Sequence, residues 1–175
     1  MKIIDAIKNG YHGLKLLINP DGNIKSLIYL GDQVTRTKAY AETANKLLED
    51  EEFCLMYQQR EGLQQITLEG LSMMPDESFG SEVYRFYKEH NLDIYPMGRM
   101  EIKTPAAYMC ERTRKIHDML HVFLGYGTDL IGEAKVNAFV AAQTKAPISF
   151  LILAGILLKI VFKQPRHFLE LVQGM

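Results

Sequence analysis

The chain has 175 residues and a mass of 20.0 kDa, enough for one domain whose apolar core needs no covalent staples. Its composition, 47% hydrophobic and 23% charged, is that of an ordinary globular domain and excludes a disordered or low-complexity polypeptide. Lys and Arg number 20 against 21 Asp and Glu, so the net charge of −1 lacks the basic excess of a general nucleic-acid binder.

In chain order, Ile3, Ile4, Ile7, Tyr11, Leu14 and Leu17 recur at helical spacing, and Asn19-Pro20-Asp21-Gly22 signals a turn. Ile24–Leu30 reads as strand or helix and ends at Gly31-Asp32. Lys38–Glu51, with Ala39, Ala41, Ala44, Leu47 and Leu48, predicts a helix. Phe53–Gln59 is a short element of either type, and Gly62 and Gly70 bracket a loop. Met74-Pro75-Asp76-Glu77-Ser78 predicts a helix start, followed by an apolar stripe of Phe79, Val83, Phe86 and Tyr87 through His90. Asn91-Leu92-Asp93 closes that helix, and 95–104 reads as a linker containing Pro96 and Gly98. Thr104 is the expected N-cap and Pro105 the first turn of a helix reaching Leu124. Gly125-Tyr126-Gly127 stops it, and Thr128 or Asp129 caps a second helix over Leu130–Lys145. Ala146-Pro147 breaks the chain before an apolar helix, Ile148–Phe162, and Gln164-Pro165 precedes a short helical tail. No strand pattern is sustained. The expected fold is all-α, one compact multi-helix domain over 1–175.

Two cysteines, Cys54 and Cys110, make no disulfide framework and no CxxC pair, so they read as small buried hydrophobes of a reducing interior compartment. The apolar start, Met1-Lys2-Ile3-Ile4-Asp5, is too short for a signal peptide. The longest uncharged run, Ala146–Leu158, has 13 residues. A membrane span needs roughly 20.

The chemistry concentrates in Arg114-Lys115-Ile116-His117-Asp118-Met119-Leu120-His121, followed by Gly125, Gly127 and Glu133. His117 and His121 share one helix face, one turn and about 40° apart, a spacing at which two imidazoles hold one metal ion. Asp118 lies roughly 60° beyond His121, placed to ligate or to orient a ligand. On a straight helix Glu133 would stand about 18 Å up the axis, but the glycine break lets a helical hairpin return it to the histidines. Two imidazoles with one or two carboxylates suit zinc, iron, manganese or magnesium. The competing reading is a buried, purely structural His–Asp pair. HExxH chemistry is excluded because no Glu follows His117, and no GxGxxG signals an organic redox cofactor.

This pattern, His117-Asp118-x-x-His121 with Glu133 after eleven intervening residues, resembles the signature of the Coq4 family of quinone-biosynthesis proteins. Phe123-Leu124-Gly125-Tyr126-Gly127-Thr128, Leu130-Ile131-Gly132-Glu133 and Met74-Pro75-Asp76-Glu77-Ser78-Phe79-Gly80 with Tyr84-Arg85-Phe86 are similar to family segments as well. Asn19-Pro20 and Leu30-Gly31-Asp32 match more weakly. The resemblance covers most of the chain. It implies a helical fold and a divalent metal, zinc first, held by His117, Asp118, His121 and Glu133. It also implies replacement of the ring C1 carboxyl by hydroxyl on a polyprenylated benzoate, or a scaffold role among quinone-biosynthesis proteins at a membrane surface. The expected location is peripheral on a membrane, the matrix side of the inner mitochondrial membrane in a eukaryote or the cytoplasmic side in a bacterium. Family members continue beyond the point equivalent to Met175.

A polyprenyl substrate needs an apolar groove, which helices 105–124, 130–145 and 148–162 can line; the competing role is plain core. Ile148–Phe162, ending in Lys159, Lys163, Arg166 and His167, is the expected membrane-facing or homodimer-forming helix. Arg112 and Arg114, with Lys115, are candidates for an anionic head group, and Tyr108 and Tyr126 for ring contacts.

Overall fold

The computed structural model describes residues 11–12, 24–60, 66–94 and 101–163. Among the described residues every regular element is a helix, as expected for an all-α chain. All of the expected helix 3–18 but residues 11–12, the 19–22 turn, Gly62, most of the 95–104 linker and the 164–175 tail lie outside them.

The first helix, α1 (Ile24–Thr35), runs through Gly31-Asp32, where the sequence suggested an end. One glycine costs only about 1 kcal/mol against alanine, and Asp32 pairs one turn on with Arg36 at 2.8 Å. The helix expected over Lys38–Glu51 and the short element expected over Phe53–Gln59 are both present, the first ending at Leu47 and the second starting at Glu51. These are α2 (Lys38–Leu47) and α3 (Glu51–Gln59), parted where the Asp50 carboxylate accepts the Phe53 N–H at 2.9 Å and starts the second helix. Thr67 caps a short α4 (Leu68–Ser72) within the stretch read as loop. Helix α5 (Phe79–Glu89) starts behind its Ser78 cap, so Pro75–Glu77 forms a turn ahead of the helix rather than its first turn. Helices α6 (Pro105–Leu124), α7 (Leu130–Thr144) and α8 (Pro147–Lys163) stand within one residue of their expected bounds. Thr104 caps α6 by accepting the Ala107 N–H at 3.1 Å.

Helix α6 is the shared wall of two cores. Its first half, through Ala106, Met109 and Cys110, packs against Tyr40 and Ala44 of α2 and Ala146 before α8. Its last half, through Met119 and Val122, covers Leu71 of α4 and Val83 and Tyr87 of α5. Burial on both sides fixes the axis of α6, and with it the direction of the side chains on its remaining face. Helix α7 returns antiparallel to α6, and α8 packs along α7 with Ser149 and Ile160 buried. Among the described residues, no helix is long and apolar enough to cross a membrane.

Candidate metal centre

The hairpin between α6 and α7 brings three of the four predicted ligands, His117, His121 and Glu133, together. Gly125 ends α6 at φ +69°, a left-handed conformation that favours glycine, and turns the chain back. Asp129 then caps α7, accepting the N–H groups of Ile131 at 2.8 Å and Gly132 at 3.0 Å. The Gly132 N–H foremost, and then that of Ile131, hold the Asp129 carboxyl below its ordinary pKa against a smaller effect of burial. Gly132 sits against the backbone of Gly127, a contact no larger residue permits. That contact sets the first turn of α7 beside the last turns of α6, and the next residue is Glu133.

Three side chains of two ligand types, imidazole and carboxylate, converge there. His117 Nε2 is 3.2 Å from Glu133 Oε2, and His121 Nε2 is 3.3 Å from Glu133 Oε1. The two Nε2 atoms are 3.4 Å apart, and one ligand atom from each residue lies within 4.8 Å of the others. His121 is fully buried and its tautomer is fixed. Its Nδ1–H donates to the carbonyls of Gly127 at 3.0 Å and Tyr126 at 3.2 Å, so Nε2 carries the lone pair. Phe86 of α5 stacks on the ring at 5.8 Å and walls off the remaining side.

A lone pair aimed at a carboxylate is repulsive unless a cation lies between. The electrostatics express the same demand. Burial disfavours the charged form of His121, but Glu133 and the two carbonyls outweigh it and raise its pKa. Burial likewise opposes the Glu133 carboxylate, but His117 and His121 more than offset it and bring its pKa down to about 2. The positive end of α7 acts in the same direction. The cluster therefore binds positive charge, either a proton or a metal ion. Its backbone-oriented imidazole is the arrangement that metal-ligating histidines characteristically show.

Asp118 does not join these three. Its Oδ2 accepts the hydroxyl of buried Tyr87, from α5, at 2.8 Å. The two candidate arginines also part company. Arg114 Nη1 is paired with buried Glu111 at 3.1 Å, whereas Arg112 lines a cleft of about 190 Å³ between α6 and α7. Ile116, Leu120, Phe139 and Val140 supply the apolar wall of that cleft. Tyr108 packs on the rings of Phe53 and Tyr57 in the first core, and Tyr126 lies under Lys135 at 5.0 Å. Sequence reasoning missed Gly132, Phe86 and Tyr87 as parts of the site. Only the helical register of Phe86 and Tyr87 with Val83 carried any signal of them.

A family model described as "Coenzyme Q (ubiquinone) biosynthesis protein Coq4" matches residues 12–173. The mitochondrial ubiquinone biosynthesis protein COQ4 homolog of Danio rerio is 33% identical over 153 residues, 85% of this chain and 52% of its own length. Its Homo sapiens counterpart is 30% identical over 151 residues, 83% of this chain and 52% of its own length. The chain thus spans about half the length of the curated relatives it matches. A crystallised Nostoc punctiforme protein, provisionally assigned to ubiquinone biosynthesis, superposes with a TM-score of 0.78 at 23% identity. The match covers 96% of this chain and 79% of that one, and it shows a common fold.

Proposed function

The chain belongs to the Coq4 family of ubiquinone biosynthesis proteins, and from that premise we propose that its His117, His121 and Glu133 hold a divalent cation that serves ring-carboxyl chemistry on a polyprenylated benzoate. Zinc is the expected ion for two imidazoles and a carboxylate, with iron, manganese or magnesium as alternatives. The observation that carries the reading is the convergence of two Nε2 atoms on one carboxylate, with His121 Nδ1 committed to backbone carbonyls.

When bound, such an ion supplies Lewis acidity toward a ring carboxylate or phenolate. The chain supplies the rest. A divalent ion held by only these three residues would have a free coordination position, which would favour a catalytic over a closed structural site. Asp118, with Oδ2 held by Tyr87, is suited to anchoring α6 against α5 beside the centre rather than to ligating. The α6–α7 cleft offers an apolar wall for an isoprenoid tail and the Arg112 guanidinium for an anionic group. Replacing the C1 carboxyl by hydroxyl breaks one C–C bond, releases carbon dioxide and is a net two-electron oxidation. Dioxygen or an equivalent oxidant has to be supplied.

Phe150, Leu151, Leu157 and Leu158 form an exposed apolar stripe on α8, which supports a peripheral membrane position for a lipid-handling protein. In a eukaryote that membrane would be the inner mitochondrial one, consistent with the mitochondrial names of the relatives; in a bacterium, the cytoplasmic one. The same stripe suits a homodimer. A non-enzymatic scaffold that presents a quinone precursor is the second reading, favoured if the fourth metal position is closed.

Incubating metal-loaded protein with a polyprenylated benzoate in air, and following carbon dioxide release and ring hydroxylation by mass spectrometry, tests the reaction. Product from the parent protein but not from Glu133→Gln is expected. Substrate binding without turnover, for every metal supplied, would move the protein to the scaffold reading.

A further inference from the structure

Beside the metal centre, on the outer face of α5 and the end of α6, lies a second apolar surface. Met73 is 74% exposed and Phe123 69%, with Met74 and Phe79 about half exposed. They cluster around the start of α5 and the end of α6. The Phe79 and Phe123 rings meet edge to face at 6.5 Å, and Met74 lies over Gly80, where an added Cβ would meet its Cγ at 2.8 Å. Scattered exposed apolar residues need no explanation, but two methionines and two phenylalanines exposed close together in the fold do. Methionine and aromatic side chains are the types that protein interfaces enrich, and methionine adapts its shape to a partner.

The rim is predominantly acidic. Glu69, Asp76 and Glu77 stand exposed around the patch, and no Lys, Arg or His occurs anywhere between residues 61 and 84. Glu82 adds a fourth acid, paired with Arg85. Anionic membrane headgroups would be repelled by such a rim. A second copy related by a two-fold axis would set the acidic rim against itself. What remains complementary is a different protein with an apolar centre and a basic border.

We infer that Met73, Met74, Phe79 and Phe123 form a docking site for a partner protein segment with an apolar helix face flanked by Lys and Arg. The site adjoins the metal centre. Phe86, two turns beyond Phe79 on α5, is the residue that stacks on His121. A partner seated on Phe79 therefore sits about 10 Å along the helix from Phe86, on the element that walls the ligand cluster. The inference is independent of the metal chemistry.

The test uses the full chain and two labelled synthetic amphipathic helical peptides, one of leucine and lysine, the other of leucine and glutamate. Fluorescence anisotropy should show the lysine peptide binding at least about tenfold more tightly than the glutamate peptide, weakening with salt. Met73→Gln with Phe123→Gln, and separately Asp76→Lys with Glu77→Lys, should each weaken it about tenfold, a hot-spot-sized loss. Both double variants alter exposed residues, and unchanged melting temperatures confirm their folding. Equal binding of the two peptides, or variants that bind as the parent does, would overturn the inference. So would capture by neutral phosphatidylcholine vesicles, or a sedimenting dimer, that the Met73→Gln/Phe123→Gln variant abolishes.

Discussion

Gly132 and Gly127 touch backbone to backbone: a Cβ on Gly132 would stand far inside van der Waals contact with the Gly127 carbonyl oxygen. That oxygen also accepts the Nδ1–H of His121 at 3.0 Å. One contact therefore sets both the approach of α7 and the tautomer of a ligand. Gly132→Ala should destabilise the protein by about 1–3 kcal/mol, the usual cost of overpacking. It should also weaken metal binding at least about tenfold, as loss of an orienting partner does. Thermal melts and competition with a chelating dye check the two effects separately.

The Tyr87 hydroxyl is predicted to anchor Asp118 without contributing to the ligand set. Tyr87→Phe should cost about 1 kcal/mol or somewhat more, typical of a hydrogen bond to a charged acceptor, and leave metal stoichiometry unchanged. Asp118→Asn should likewise retain the ion. If Asp118→Asn loses metal as completely as Glu133→Gln, Asp118 belongs among the ligands.

Metal binding should depend on pH through His121. Glu133 and the two backbone carbonyls, acting against burial, raise its pKa in the metal-free fold. The protonated imidazole therefore stabilises the metal-free protein below the ordinary histidine value of about 6.5, and that contribution is lost as pH rises through the raised folded value. A metal ion needs the neutral form. The melting-temperature gain on adding zinc should accordingly grow between pH 6 and 8, and affinity should fall about tenfold per pH unit below the raised value. A gain that is flat across this range would contradict the assignment. Glu133 behaves oppositely. Its folded value of about 2 means that its contribution is present above about 4.3 and disappears as pH falls toward 2.

Gly125→Ala tests the hairpin itself. At φ +69° the added Cβ meets no neighbour within 4 Å, so the cost is conformational alone. About 1 kcal/mol of destabilisation is expected, with metal stoichiometry retained. A much larger loss would show that the turn is held by more than its backbone conformation.

The hairpin was legible because local signals agreed with one another. Thr104-Pro105, Gly125 and Asp129 each favour a boundary on their own, and the structure ends or starts a helix at each. His117 and His121 followed from helical spacing, and Glu133 from the need to fold back. Other features depended on tertiary distances that a sequence does not carry. Gly132 looks like an ordinary helix-weakening glycine until α7 lies on the turn. Asp118 has the spacing of a ligand, and only the approach of α5 directs its oxygen to Tyr87. The break between α2 and α3 falls at the run of acids 49–52, where the Asp50 cap starts the second helix.

The most direct measurement is the metal content of purified protein, reconstituted in turn with zinc, iron, manganese and magnesium, beside folded His117→Ala/His121→Ala and Glu133→Gln variants. About one divalent ion per chain in the parent, and a small fraction of that in both variants, is the predicted result. Absence of bound metal from a folded parent protein under every reconstitution would contradict the account and leave the two histidines and Glu133 as a proton-sharing cluster.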